Sequence, residues 1–234
     1  RALRACAAGL AAAQDDGHGL VLGGERLTAG RLRGIVRDVF AAEGLEQPQG
    51  NIVSAGADTA VPHTQGSDHR TLRGGEAIIV DLYPKGGLYA DCTRTFCVGP
   101  ASEPLRRAHE LVRAALAEAT AAVAPGGRAA ALQETACDRI EAAGWETQRS
   151  APGTVRGYVH GLGHGVGYDL HELPAFRGDG AASTLDEGDV FTLEPGIYDP
   201  EGGFGVRLED LIALTARGVE NLTPLPYDLD PAAW

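Results

Sequence analysis

Methionine is absent from all 234 residues, position 1 included, so the chain reads as a processed or truncated product. RALRACAAGLAAAQ (1–14) looks like a helical lead-in with no N-cap residue before it, which suggests that a longer chain, with a further N-terminal domain, preceded it. Cysteine is scarce. Cys6, Cys92, Cys97 and Cys137 show neither a CxxC spacing nor the density of a disulfide scaffold, so free thiols in the cytoplasm are expected. No apolar run reaches the roughly 18 residues of a membrane span, and no signal-peptide pattern opens the chain. Positive charge is also short: a net charge of −12 argues against nucleic acid, whose phosphates reward Lys and Arg. Neither GxxxxGK[ST] nor a strand-linked GxGxxG is found, and no serine sits in a nucleophile elbow.

What is present is an ordinary globular mixture, 44% hydrophobic and 22% charged, long enough for one large domain over 1–234. Leu32, Ile35, Val36, Val39 and Phe40 form a helical stripe that Thr28 can cap and Gly44 can end. Segments 51–56 and 76–83 read as strands, and Pro84 with Gly86-Gly87 turns the second into 88–98. Ser102 and Pro104 open another helix through Leu105, Leu111, Val112 and Leu116, stopped by Pro125-Gly126-Gly127. A further helix carries Leu132, Ala136 and Ile140 and closes at Gly144. The last third is strand and loop, with DVFTLEPGIY and FGVRLEDLIAL as two extended runs joined by 199–203. The pattern alone supports an α+β class.

Within this frame four carboxylates sit at the ends of apolar β-like runs: Asp81 after Ile78-Ile79-Val80, Asp91 across the following turn, Glu194 after Phe191-Thr192-Leu193, and Glu209 after Leu208. Buried as free anions they would cost several kcal/mol each; divalent cations remove that cost. His160, His164 and His171 lie within twelve positions. The i, i+4 pair would share a helix face, but Gly161, Gly163, Gly165 and Gly167 favour an extended segment that can approach a ligand closely. One of the three is expected to be a metal ligand. Arg207 and Glu209 are two apart and share a strand face, so the guanidinium can orient that carboxylate. Asp210 faces the other way and reads as structural, as does Cys92. His18, His69 and His109 read as surface residues.

The segments IIVDLYPKGGLYADCTRTF (78–96), VHGLGHGVGYDLHELP (159–174), FTLEPGIY (191–198) and GVRLEDLIAL (205–214), in this order, resemble the pita-bread metallopeptidases: methionine aminopeptidase, aminopeptidase P and prolidase. The resemblance covers nearly the whole chain. It implies the pita-bread fold, whose two pseudo-two-fold halves each carry one metal hairpin. It also implies two divalent metal ions: Asp81 chelating one, His164 the other, Asp91 and Glu209 bridging, and Glu194 binding the second ion and acting as general base. His160 and His171 would line the substrate side, and His63 in AVPHTQ would border the cleft and relay protons. The oxygen-rich ligands favour Mn²⁺, with Co²⁺ or Zn²⁺ as alternatives. HGLGH, GYDLHELP and GVRLED look like the proline-specific branch, implying Xaa-Pro cleavage of short proline-containing peptides, as dipeptidase or aminopeptidase, by a monomer or a homodimer. A methionine aminopeptidase-like enzyme, a metal-free creatinase-like relative and a non-catalytic binding protein of this fold are the rivals; the last two should show broken ligands. Two departures stand out: the Asp81–Asp91 connection is one residue shorter than usual, and Tyr83 stands where glycine is common.

Overall fold

A computed structural model describes residues 1–176 and 182–234. In chain order the elements are α1 (Ala2–Ala11), β1 (Gln14–Asp15), β2 (Leu20–Leu22), β3 (Glu25–Arg26), α2 (Ala29–Ala42), β4 (Ile52–Ala55), β5 (Ile78–Leu82), β6 (Cys92–Phe96), α3 (Glu103–Ala121) and α4 (Ala129–Ala142). There follow β7 (His164–Gly165), β8 (Glu172–Ala175), β9 (Val190–Leu193), β10 (Gly196–Asp199), β11 (Phe204–Arg207), β12 (Asp210–Thr215) and β13 (Gly218–Asn221). The helix ends follow their chemistry. Thr28 Oγ1 accepts the Arg31 amide at 3.3 Å and Ser102 Oγ that of Leu105 at 3.4 Å, while α1 has no side-chain cap. Gly44 takes φ +68° just past α2, the left-handed conformation that glycine adopts without strain. No helix among the described residues is long and apolar enough to cross a membrane.

Two hydrophobic cores form, one in each half. In the first, α1 and α2 pack on the antiparallel sheet β4–β5–β6; in the second, α3 and α4 pack on residues from β9 to β12. The alternation along β5 explains its apolar composition. Ile78, Val80 and Leu82 enter the first core, whereas Ile79 and Asp81 face the other way, and both faces are buried. β6 is built alike: Cys92 and Phe96 face the core, and Thr93 and Thr95 face the second half. There Thr95 Oγ1 accepts the Arg207 amide at 3.1 Å and donates to the Arg207 carbonyl at 2.8 Å, and the Glu209 amide donates to the Thr93 carbonyl at 3.0 Å. This seam joins the halves. The remaining strands make a small sheet β1–β2–β3, which periodicity did not disclose, the hairpin β10–β11, and the order β13–β12–β9–β7–β8.

The two extended runs of the last third are each broken at the glutamate. β9 ends at Leu193 and β10 starts at Gly196; β11 ends at Arg207 and β12 starts at Asp210. The chain thereby leaves one ladder for another, pairing Asp210 with Leu193 in the large sheet and Gly196 with Arg207 in the hairpin. Residues 88–91 are likewise not strand. His109 corrects the sequence reading outright. It lies on the buried stripe of α3 with Leu105 and Val112, 6% exposed, and burial lowers its pKa to about 4.

Candidate metal centre

Alternation and register decide which side chains meet. Asp81 projects from β5 toward the seam, and the pairing Leu82↔Cys92 sets Asp91, the residue before β6, diagonally next to it. On β9, Phe191 and Leu193 enter the second core, so Thr192 and Glu194 point the opposite way. Val206 and Leu208 are buried in that core, and Arg207 and Glu209 therefore both face the seam although the strand breaks between them. The glycine-rich segment supplies the imidazole from β7. A Cβ on Gly163 would lie 1.9 Å from the Thr192 carbonyl oxygen, and one on Gly165 2.1 Å from that of Leu173. Only glycine allows strands this close; the close approach is to the neighbouring strands' carbonyls, where the sequence reading expected it toward a ligand. Gln133 of α4 pins the segment, its Oε1 accepting the Leu162 amide at 2.6 Å.

Asp81, Asp91, His164, Glu194 and Glu209 converge on one cavity of about 260 Å³, with His63, His171 and Arg207 also on its wall. One ligand atom each of Asp91, His164 and Glu209 lies within 4.8 Å of the others. His164 Nε2 stands 3.7 Å from both Asp91 Oδ2 and Glu194 Oε1. Its Nδ1 contacts the Gly165 carbonyl at 3.1 Å, and since a carbonyl only accepts, the proton is on Nδ1 and the Nε2 lone pair faces the carboxylates. Burial, reinforced by His171, lowers His164 to about 4, so the ring is neutral at physiological pH.

The carboxylates show the strain of shared burial. Burial, then repulsion from Glu209, Asp81 and Glu194, pushes Asp91 well above the ordinary carboxylate range. Burial and Glu209 do the same to Glu194, against the pull of Arg207. Glu209 rises to about 8 through burial and Asp81, although Thr93 Oγ1 donates to its Oε2 at 2.7 Å. Among the described residues, Asp81 Oδ1 and Asp91 Oδ1 are buried without a hydrogen-bond partner. Unpaired acceptors of this kind are costly, and divalent cations would satisfy them and cancel the repulsion. The residues fit a hard metal ion. Oxygen donors with a single imidazole are a ligand set for manganese-class ions more than for a structural zinc.

Arg207 does not bind the carboxylate that the sequence reading gave it. Its Nη2 donates to Asp81 Oδ2 at 2.7 Å and its Nη1 to Tyr198 Oη at 2.9 Å. His160 Nε2 lies 2.8 Å from the same phenol, and its Nδ1 donates to the Gly161 carbonyl at 2.8 Å. The phenol proton is therefore directed at His160, giving an ordered chain from Arg207 through Tyr198 to His160. His160 is accordingly 8% exposed, with Tyr198 between it and Arg207. His171 does reach the cavity, its ring 4.2 Å from that of His164, and His63 lies 6.2 Å from His160.

Thr93, Tyr198 and Gln133 escaped the sequence reading because their partners are distant in the chain. On the far side of the seam Arg94, fully buried, pairs with Asp210 at 2.6 Å and donates to the Glu209 carbonyl at 2.5 Å. Asp210 is thus structural, as expected. All four cysteines are unpaired and buried.

With this geometry, comparisons with known proteins agree. The sequence profile of Metallopeptidase family M24 matches residues 1–216. An Xaa-Pro dipeptidase of Pyrococcus furiosus is 36% identical over 199 residues, 83% of this chain and 53% of that protein. The crystal structure of the prolidase from Pyrococcus horikoshii OT3 matches with a TM-score of 0.79 at 31% identity, covering 87% of this chain and 56% of that one. The X-Pro aminopeptidase from Thermotoga maritima MSB8 matches with a TM-score of 0.76 at 32% identity, over 87% of this chain and 55% of that one. The α+β arrangement of two helix-backed halves is that of these prolidase structures, the pita-bread fold. The chain spans about half the length of the relatives it matches.

Proposed function

This chain belongs to Metallopeptidase family M24, and from that premise we propose that residues 1–234 form a catalytic domain hydrolysing the Xaa-Pro bond of short peptides with two divalent metal ions. The observation that carries the reading is the cavity itself: four carboxylates and one neutral imidazole face one another, with two buried carboxylate oxygens unpartnered. Asp81 would hold one ion, His164 and Glu194 the other, and Asp91 and Glu209 both. Ions held there supply Lewis acidity, polarising the scissile carbonyl and acidifying water. Relatives named Xaa-Pro dipeptidase and X-Pro aminopeptidase supply the substrate class.

The chain's own groups then have separable tasks. Glu194, half-buried on the cavity wall, takes one proton from water and returns it to the proline nitrogen as the bond breaks. His171, on the cavity wall, donates to the oxygen that becomes anionic. Arg207 fixes Asp81, and Tyr198 with His160 fixes Arg207. His63 lines the cavity beside this chain of groups and relays protons to solvent. The same reading takes Mn²⁺ as the native ion, on the hardness of the ligands, and a homodimer as the assembly, on the resemblance alone. The unpaired cysteines suit a reducing compartment, and on that ground we place the enzyme in the cytoplasm. A non-catalytic role would predict a broken ligand set, whereas all five ligands are in place.

The test is hydrolysis of Xaa-Pro dipeptides and Xaa-Pro-Yaa tripeptides by chelator-treated protein with and without Mn²⁺. Cleavage before proline that requires the metal is expected. Equal cleavage of peptides with alanine in place of proline, or cleavage that ignores chelation, would overturn the reading.

A further inference from the structure

We propose that Tyr83 is a specificity-determining residue, limiting the substrate residue that bears the free amino group to small side chains. The inference rests on the Xaa-Pro reading above and deepens it.

Tyr83 lies two residues beyond Asp81 at the end of β5, so its side chain follows Ile79 and Asp81 to the seam face. The last ladder pair is Leu82↔Cys92, and the next position brings Tyr83 alongside Asp91. Tyr83 thus stands next to both aspartates. Its ring is 9% exposed and packs with Ile52, Ile79 and Leu170 in a small apolar cluster separate from the two main cores. Three of these, Ile52, Tyr83 and Leu170, form a wall of the catalytic cavity. One end of the cavity is therefore apolar and abuts Asp81 and Asp91.

That juxtaposition orients a peptide. With its free amino end at the Asp81 and Asp91 side of the cavity, a peptide presents the side chain of that same residue to the nearest apolar wall. The wall is filled by a tyrosine ring, and the cavity, at about 260 Å³, falls just short of the roughly 300–1,000 Å³ of ordinary ligand pockets. Alanine fits against such a wall; phenylalanine competes with the ring for the same space. Because the effect is one of bulk, phenylalanine at position 83 should preserve it and alanine should remove it.

The experiment compares kcat/KM for Ala-Pro and Phe-Pro substrates, in whichever of the dipeptide or tripeptide series is cleaved, with the Mn²⁺-loaded full chain. Wild type should favour Ala-Pro by about 10-fold or more, Tyr83→Phe should keep that ratio, and Tyr83→Ala should shrink it by about 10-fold. Leu170→Ala, which opens the same wall from the other side, should shrink it too and serves if Tyr83→Ala does not fold. Calorimetric binding of alaninamide and phenylalaninamide makes the same comparison without turnover. If no Xaa-Pro substrate is cleaved but Tyr83→Ala or Leu170→Ala gains phenylalaninamide, the Xaa-Pro reading has failed and this inference stands. Ratios within about 3-fold of wild type in both opened variants, or a wild type that takes both side chains equally, overturn it.

Discussion

Glu194 and His164 stand 3.7 Å apart, yet substitution should separate their tasks. Glu194→Gln keeps an oxygen ligand and removes the base, so metal content should largely persist while kcat falls by about 10²-fold or more; an ordinary kcat would move the base to His171 or His63. Among the histidines the contrast is sharper. His164→Ala should lose bound metal, measured by elemental analysis. His171→Ala should keep its metal and lose about 10²–10³ in kcat/KM as an oxyanion donor. His160→Ala should also keep its metal, its effect passing through Tyr198 and Arg207 to Asp81. Equal metal loss in all three would contradict this division. At this scale composition and local context disclosed the carboxylates, because an acidic residue at the end of an apolar run is costly unless it has a purpose. They did not disclose that Arg207 binds Asp81 and not Glu209, since 126 residues separate that pair. The burial of His109 was written in the α3 stripe, where its spacing from Leu105 and Val112 places it inward.

Single elements were legible where helical periodicity or a cap marked them, as with Thr28, Ser102 and Gly44. Strand breaks were not, because the apolar alternation runs straight through Glu194 and Glu209 while the hydrogen-bond ladder changes partner there. Close approach of β7 to β9 is the element-scale requirement of the site. Gly163→Ala must push the strands apart, because the added carbon would meet the Thr192 carbonyl oxygen at 1.9 Å. The expected outcome is loss of metal together with a lowered Tm, and unchanged metal affinity would show that β7 does not set the ligand's position. The seam makes a second demand. Arg94→Met leaves Asp210 buried without its cation, a change that typically costs about 3–5 kcal/mol. Denaturant unfolding measures it, and a loss below about 1 kcal/mol would mean that Tyr227 and Asn221, which also donate to Asp210, suffice.

For the whole molecule, the metal centre ties stability to pH. Without metal, folded Glu209 holds its proton up to about 8, because burial and Asp81 disfavour the anion, whereas the unfolded residue loses it near the ordinary value of 4.5. The folded state then binds more protons, so stability falls as pH rises through that window, by up to about 1.4 kcal/mol per unit for each such proton. Neutral His164, with its pKa lowered to about 4, works in the opposite sense only below its ordinary value of 6.5. Between pH 6.5 and 8, chelated protein should therefore lose Tm, roughly 2–4 °C per kcal/mol at this chain length, and a rising Tm would contradict the assigned cause. Metal should reverse the trend, since it takes the deprotonated ligands. The two-halved architecture was within reach of the sequence through its paired acidic hairpins, while the seam that unites them rests on Thr93 and Thr95, ordinary strand residues in the sequence. The central claim is two metal ions bound by these five residues and needed for cleavage before proline. Titrating Mn²⁺ into metal-stripped protein while following Xaa-Pro hydrolysis and bound metal tests it most directly. Activity should emerge with at most two bound ions per chain and vanish in Glu209→Ala; full activity in the stripped protein, or two tightly bound ions with Glu209 removed, would contradict it.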